Sequence, residues 1–192
     1  SRYSTVNNGF TSHVNMNVGN KKWANYYGFT YSQFSDLRSG KNKNPFYAGN
    51  YGERNYYVER INGKDSLVSN ANKYLQKFSG YNQIDLIEKI AFKQNDRMTH
   101  SLNLQYSTSS DVPRYDRLTD PSGSGLKWAE WYYGPQKRLL TAYDLNVQNK
   151  HAAIRTVHFG MNYQNIEESR IIRRFNATGR QSRIERVQVA GM

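Results

Sequence analysis

Val157-His158-Phe159-Gly160-Met161-Asn162-Tyr163-Gln164 sets Val, Phe, Met and Tyr at every second position, with His, Gly, Asn and Gln between them. Side chains of an extended chain alternate between two faces, so this octet reads as a strand with one apolar and one polar side. Three further segments repeat the pattern. Phe10–Gly19 sets Val14, Met16 and Val18 against His13, Asn15 and Asn17. Met98–Ser107 sets Met98, Leu102, Leu104 and Tyr106 against Ser101, Asn103 and Gln105. Leu139–Gln148 sets Leu139, Tyr143, Leu145 and Val147 against Asp144, Asn146 and Gln148. Trp23–Phe34 is strand-like but less regular. Tyr81–Lys93 is ambiguous: Ile84, Leu86, Ile90 and Phe92 alternate, while Ile84, Ile87 and Ala91 suit a helix face. Asp65–Phe78 is the best helix candidate, with Asp65 as cap and Leu67, Val68, Ala71, Tyr74, Leu75 and Phe78 on one side.

The expected fold is all-β, with antiparallel up-and-down strands near 10–19, 23–36, 78–93, 98–108, 139–149, 154–176 and 181–190. Connections alternate in length. Gly19–Lys22, Gln94–Arg97 and Asn149–Ala153 are tight, whereas 37–77 and 109–138 are long and polar. In an up-and-down sheet every second connection shares a rim, so short turns gather at one end and long loops at the other. Transmembrane β-barrels are built this way, with short periplasmic turns and long extracellular loops. Strands of about ten residues also suit a tilted crossing. The polar side strengthens the reading. Asn15, Asn17, Asn103, Gln105, Asn146, Gln148, Asn162 and Gln164 are uncharged amides, and Asn is depleted in ordinary strands. Amides suit an enclosed polar lumen, and the opposite Val/Leu/Met/Phe/Tyr side suits acyl chains. The competing reading of the patterns is a soluble β-sandwich with an amide-rich outer face.

Composition narrows the class. Among 192 residues, 27 Lys and Arg against 15 Asp and Glu give a net charge of +12, and 16 tyrosines raise the aromatics to 14%. Disordered chains lack such aromatics. No run of about 18 apolar residues offers a membrane helix. With no cysteine, disulfide scaffolds, zinc ribbons and thiol catalysis drop out. His13, His100, His151 and His158 are scattered, without metal-ligand spacing, so no metal site, cofactor or catalytic residue is assigned and an enzyme is not expected. Ser122-Gly123-Ser124-Gly125 lacks the Lys-Ser/Thr ending of a phosphate loop and reads as a turn, as does Asn176-Ala177-Thr178. Asp116 and Asp120 read as turn residues rather than paired acids.

Longer strings carry a resemblance. Asn44-Pro45-Phe46-Tyr47, Tyr51-Gly52-Glu53-Arg54, Tyr57-Val58-Glu59-Arg60-Ile61-Asn62-Gly63 and Tyr74-Leu75-Gln76-Lys77-Phe78 come first. Asp111-Val112-Pro113-Arg114-Tyr115-Asp116-Arg117-Leu118-Thr119-Asp120 and Ala129-Glu130-Trp131-Tyr132-Tyr133-Gly134-Pro135-Gln136-Lys137-Arg138 follow. Tyr163-Gln164-Asn165-Ile166-Glu167-Glu168-Ser169-Arg170 then precedes Arg173-Arg174-Phe175-Asn176. Together they resemble the barrel of a TonB-dependent outer-membrane receptor. The resemblance implies a plugged barrel of about 22 strands, of which this chain supplies roughly a third as an internal segment without its plug. It implies location in the cell outer membrane and active uptake of a scarce nutrient: siderophore, haem, cobalamin or glycan. The expected partners are outer-membrane lipid and lipopolysaccharide, the plug domain, TonB and the small nutrient, with no nucleic acid. Arg114, Tyr115, Arg117, Trp131 and Tyr132 are the expected ligand contacts, because they join donors to flat apolar surface. Two alternatives stand beside it: a soluble basic β domain for nucleic acid or acidic glycan, and a small closed outer-membrane barrel of about eight strands.

Overall fold

The computed structural model describes residues 1–42, 46, 49, 52–149 and 153–192. Lys43, Asn44, Pro45, Tyr47, Tyr51 and His151, and the centre of the third tight link, lie outside the described residues. All regular structure among the described residues is β. In chain order the strands are β1 (Arg2–Ser4), β2 (Gly9–Gly19), β3 (Trp23–Phe34), β4 (Leu37–Arg38), β5 (Tyr56–Ile61), β6 (Lys64–Ser69), β7 (Leu75–Gln76) and β8 (Tyr81–Lys93). There follow β9 (Met98–Ser109), β10 (Val112–Pro113), β11 (Pro121–Ser122), β12 (Gly125–Leu126), β13 (Trp128–Tyr133), β14 (Lys137–Gln148), β15 (Thr156–Arg174) and β16 (Gln181–Gly191). The long strands β2, β3, β8, β9, β14, β15 and β16 lie side by side in that order, each antiparallel to the next. Among the described residues the sheet does not close: β16 has no partner along its far side, and β1 covers only the first residues of β2.

Register fixes the faces. One row crosses the sheet as Met16, Tyr27, Glu88, Leu104, Thr141 and Tyr163, and the next as Val14, Phe29, Leu86, Tyr106 and Leu139. The reverse side carries Asn17, Tyr26, Lys89, Asn103, Ala142 and Asn162 in one row. Nothing covers the apolar side among the described residues: Val14 is 65% exposed, Met16 54% and Leu86 46%. Leu118, in a loop, is the one buried hydrophobic side chain among the described residues. The accessible surface is 13434 Å2 for 22.4 kDa, whereas a compact globule of that mass exposes about 9,400 Å2. The sheet is therefore a single layer without a dry centre. Several residues interrupt the pattern, among them Asn25 opposite Val18 and Asn165 opposite Leu139. Glu88 stands in the middle of the apolar side, and on β16 Arg186 and Gln188 face the apolar side while Val187 and Val189 face the amides.

Both described tight turns are built alike. Asn20 Oδ1 accepts from the Lys22 and Trp23 backbone N–H groups (2.9 Å each), and Asn95 Oδ1 from those of Arg97 (2.8 Å) and Met98 (2.9 Å). This Asx geometry turns the chain within three residues. At that end of the apolar side Trp23 stacks on Phe92 (4.2 Å), Phe92 on His100 (5.9 Å), and His100 Nδ1 meets the Tyr143 hydroxyl at 2.7 Å. The four rings form a band across β3, β8, β9 and β14.

The loops correct two expectations, and the ambiguous segment Tyr81–Lys93 takes the strand form expected near 78–93. The helix over Asp65–Phe78 is absent, because Asn62 (φ 49°) and Gly63 (φ 78°) make a tight turn that pairs β5 with β6. The turn dipeptide outweighs a helical spacing of apolar residues that Lys64–Ser69 shares with a strand. Tyr81–Lys93 is a strand throughout, held by twelve register pairs to β3. The segments 37–77 and 109–138 are not plain loops: each folds into short strands, and β13 joins the main sheet against β15.

Candidate ligand-binding site

β15 is long enough to outrun its hairpin partner. Its first half pairs with β14, and its second half with β13, so Tyr133 lies opposite Arg170 and Lys137 opposite Glu167 along one edge. Gly134 links the two partners at φ 129°, where a Cβ would sit 2.9 Å from the Asp111 Cα, so a side chain is excluded. The amide-bearing side of β15 therefore continues upward through Glu168, Arg170, Ile172 and Arg174.

Trp128 and Trp131 are three residues apart, and in a regular strand they would face opposite sides. A bulge between Trp128 and Glu130 inserts one residue and brings both onto the amide side. Their rings meet edge to face at 4.9 Å. Arg117 lies over the Trp131 ring at 4.9 Å, and Arg114 over Tyr133 at 5.6 Å and Trp131 at 6.0 Å. Arg114 binds Asp116 through two parallel bonds (2.9 and 2.8 Å) and donates to the Tyr133 hydroxyl at 2.9 Å. The Asp116 bonds hold its guanidinium firmly protonated and pull the Asp116 carboxyl below its usual range. Arg117 pairs with Asp120 at 3.2 Å, and Asp120 also accepts from the Trp128 indole N–H at 3.1 Å. Asp116 and Asp120 thus orient arginines over rings, beyond any part in a turn. The cluster offers fixed donors and flat apolar surface together.

The structure brings together Arg114, Arg117 and Trp131 and separates the other two expected contacts. Tyr132 points to the opposite side of β13. There it adjoins Asp111, Glu130 and Arg180, and burial raises its hydroxyl above its ordinary value. Tyr115 borders a different space, a cleft of about 570 Å3 between the two folded loops that Arg38, Glu53, Gln76 and Thr119 also line. Arg170, Arg174, Trp128 and Tyr133 belong to the cluster and were not among the expected contacts. The parity of β15 would have revealed Arg170 and Arg174, but the bulge that recruits Trp128 leaves no mark in the sequence.

Behind the cluster lies a clamp. Arg173, 3% exposed, donates to both Asp65 oxygens (2.6 and 2.9 Å) and to Glu130 Oε1 (2.7 Å). The Asn176 N–H also donates to Asp65 at 2.7 Å, and Arg180 holds the second Glu130 oxygen at 2.7 Å. Hydrogen bonds from Arg173 lead in lowering the Asp65 pKa against the opposing effect of burial. Arg54 sits in the same loop system, buried, with its N–H directed at the Lys77 carbonyl, and desolvation lowers its pKa to about 10. These contacts pin the β5–β6 hairpin to the far end of β15. Among the described residues no group of His, Asp, Glu or Cys has a metal-holding arrangement.

No known family model, curated protein or solved structure matches this chain.

Proposed function

We propose that the chain is the barrel portion of a TonB-dependent outer-membrane receptor that takes up a scarce nutrient. The observation that carries the reading is a sheet of seven long strands and three short ones with an uncovered apolar side, an amide-lined reverse side and almost no buried core. Lipid satisfies the first side and a polar lumen the second. In water the same surface would be a large aggregation hazard. The ring band at the tight-turn end matches the aromatic girdle that anchors such barrels at the interface. Open edges on β2 and β16 favour a segment of a large barrel over a closed one of about eight strands. The strings around Tyr57–Gly63, Asp111–Asp120 and Ala129–Arg138 point to the receptor class in particular. In it, the Arg114–Arg117–Trp131 cluster stands at the outer mouth, on the lumen side, where arriving nutrient is captured. The plug and TonB complete the transport cycle, and lipopolysaccharide surrounds the rim.

The test uses the natural absence of cysteine. Single cysteines at Met16, Leu86 and Leu104, and at Asn15, Asn103 and Asn162, carry a bimane label in the full-length protein, reconstituted with acyl-brominated phosphatidylcholine. The first set should be quenched at least twofold more than the second. Equal quenching would end the bilayer assignment. Cross-linking of the full-length protein to TonB in intact cells, expected for a receptor and absent for a structural barrel, tests the transport role.

A further inference from the structure

On the amide side, two buried donors have no acceptor among the described residues: Arg170 Nε and Trp131 Nε1. Arg170 lies opposite Tyr133 and Trp131 opposite Ile172, so the two are diagonal neighbours on one face. Unmet buried donors are unfavourable and rare, and they mark places where a further group belongs. Charge points the same way. Asp116 offsets Arg114 and Asp120 offsets Arg117, but neither Arg170 nor Arg174 has an ion pair among the described residues. Three uncompensated guanidinium groups thus stand on the face that carries the Trp128, Trp131 and Tyr133 rings: Arg170, Arg174 and Arg183, which lies opposite Arg170 on β16 and likewise has no ion pair among the described residues. Guanidinium binds oxyanions in a planar, bidentate manner, and an indole N–H adds a neutral donor.

We propose that this face holds the oxyanion of an organic ligand, a carboxylate or its like on a flat apolar body. Arg170 is the principal anchor, Arg174 the second cation, and the Trp131 N–H an additional donor. The inference rests on the reading of this face as the mouth of a nutrient receptor, and it names the chemical class of the nutrient. It excludes neutral sugars and cationic ligands as the main cargo.

The probes are 2-naphthoate and 2-naphthamide, which share a ring system and differ in charge. Each is titrated by calorimetry into the full-length protein in detergent micelles. Naphthoate should bind at least tenfold more tightly than the amide, and the difference should shrink as salt is raised. Arg170→Gln should remove the preference, and Arg170→Lys, which keeps the charge but loses the planar fork, should retain part of it. Arg97→Gln, at the opposite end of the sheet, should leave it intact. Failure of naphthoate to bind, equal binding of the two probes, or an undiminished preference in Arg170→Gln overturns the proposal. The bilayer quenching described above is measured on the same preparations. Quenching without anion preference removes this site alone, whereas anion preference without quenching removes the membrane reading and leaves the site.

Discussion

At Asp65 one carboxylate accepts from two nitrogens of Arg173 and from the Asn176 backbone, and its side chain is 1% exposed. Its partner lies 108 positions away in sequence, so this contact ties the two ends of the loop system together. Removing one member of a buried pair leaves the other charge stranded, at about 3–5 kcal/mol. Asp65→Asn should therefore free the β5–β6 hairpin, with amide exchange over Tyr56–Ser69 accelerating about a hundredfold or more. Unchanged exchange would mean that the hairpin is held elsewhere. The pH dependence has a definite sign. The Asp65 pKa is lower folded than unfolded, chiefly through the Arg173 bonds, so the clamp is at full strength above the ordinary carboxylate value of about 3.9. It is lost as pH falls below that value and through the folded one. Exchange in the wild-type hairpin should accelerate only in that acid window, and in Asp65→Asn it should lack the dependence.

Elements with a strict two-residue period were legible. β2, β9, β14 and the first half of β15 lie where alternation puts them, because one face meets a different medium from the other and register cannot slip by one. Legibility failed where local chemistry overrides period. Asn62-Gly63 between two alternating runs is the strongest short hairpin signal in the chain, while the Leu67–Phe78 spacing also suits a helix face. The candidate site was half legible: its residue types pointed to a surface of donors and rings, but β13 distributes them over two faces in a way that depends on one bulged residue. Deleting Ala129 tests that dependence. With Ala129 gone, Trp128 and Trp131 stand two apart in a regular strand and still share a face, so the exciton signal of the indole pair in circular dichroism should persist together with the β-sheet signal. Loss of the indole signal would show that Ala129 is not the residue that the strand bulges out.

For the molecule as a whole, the two ends differ as much as the two faces. Two Asx turns, of three and four residues, lie at one end among the described residues, and the other bears two folded loops with the basic, aromatic cluster and the 175–180 turn. A sheet lying in water need not segregate its connections. One crossing a bilayer does, since short turns and long loops then face different compartments. Asp96, with a side chain 96% exposed, marks the tight-turn end, and exposed Thr178 marks the other. In intact cells expressing the full-length protein, a membrane-impermeant maleimide should label Thr178→Cys readily. Asp96→Cys should react only after the outer membrane is permeabilised. Equal labelling of both before permeabilisation would place the sheet in a single aqueous compartment, and its uncovered Val14, Met16 and Leu86 rows would then require a protein cover instead of acyl chains.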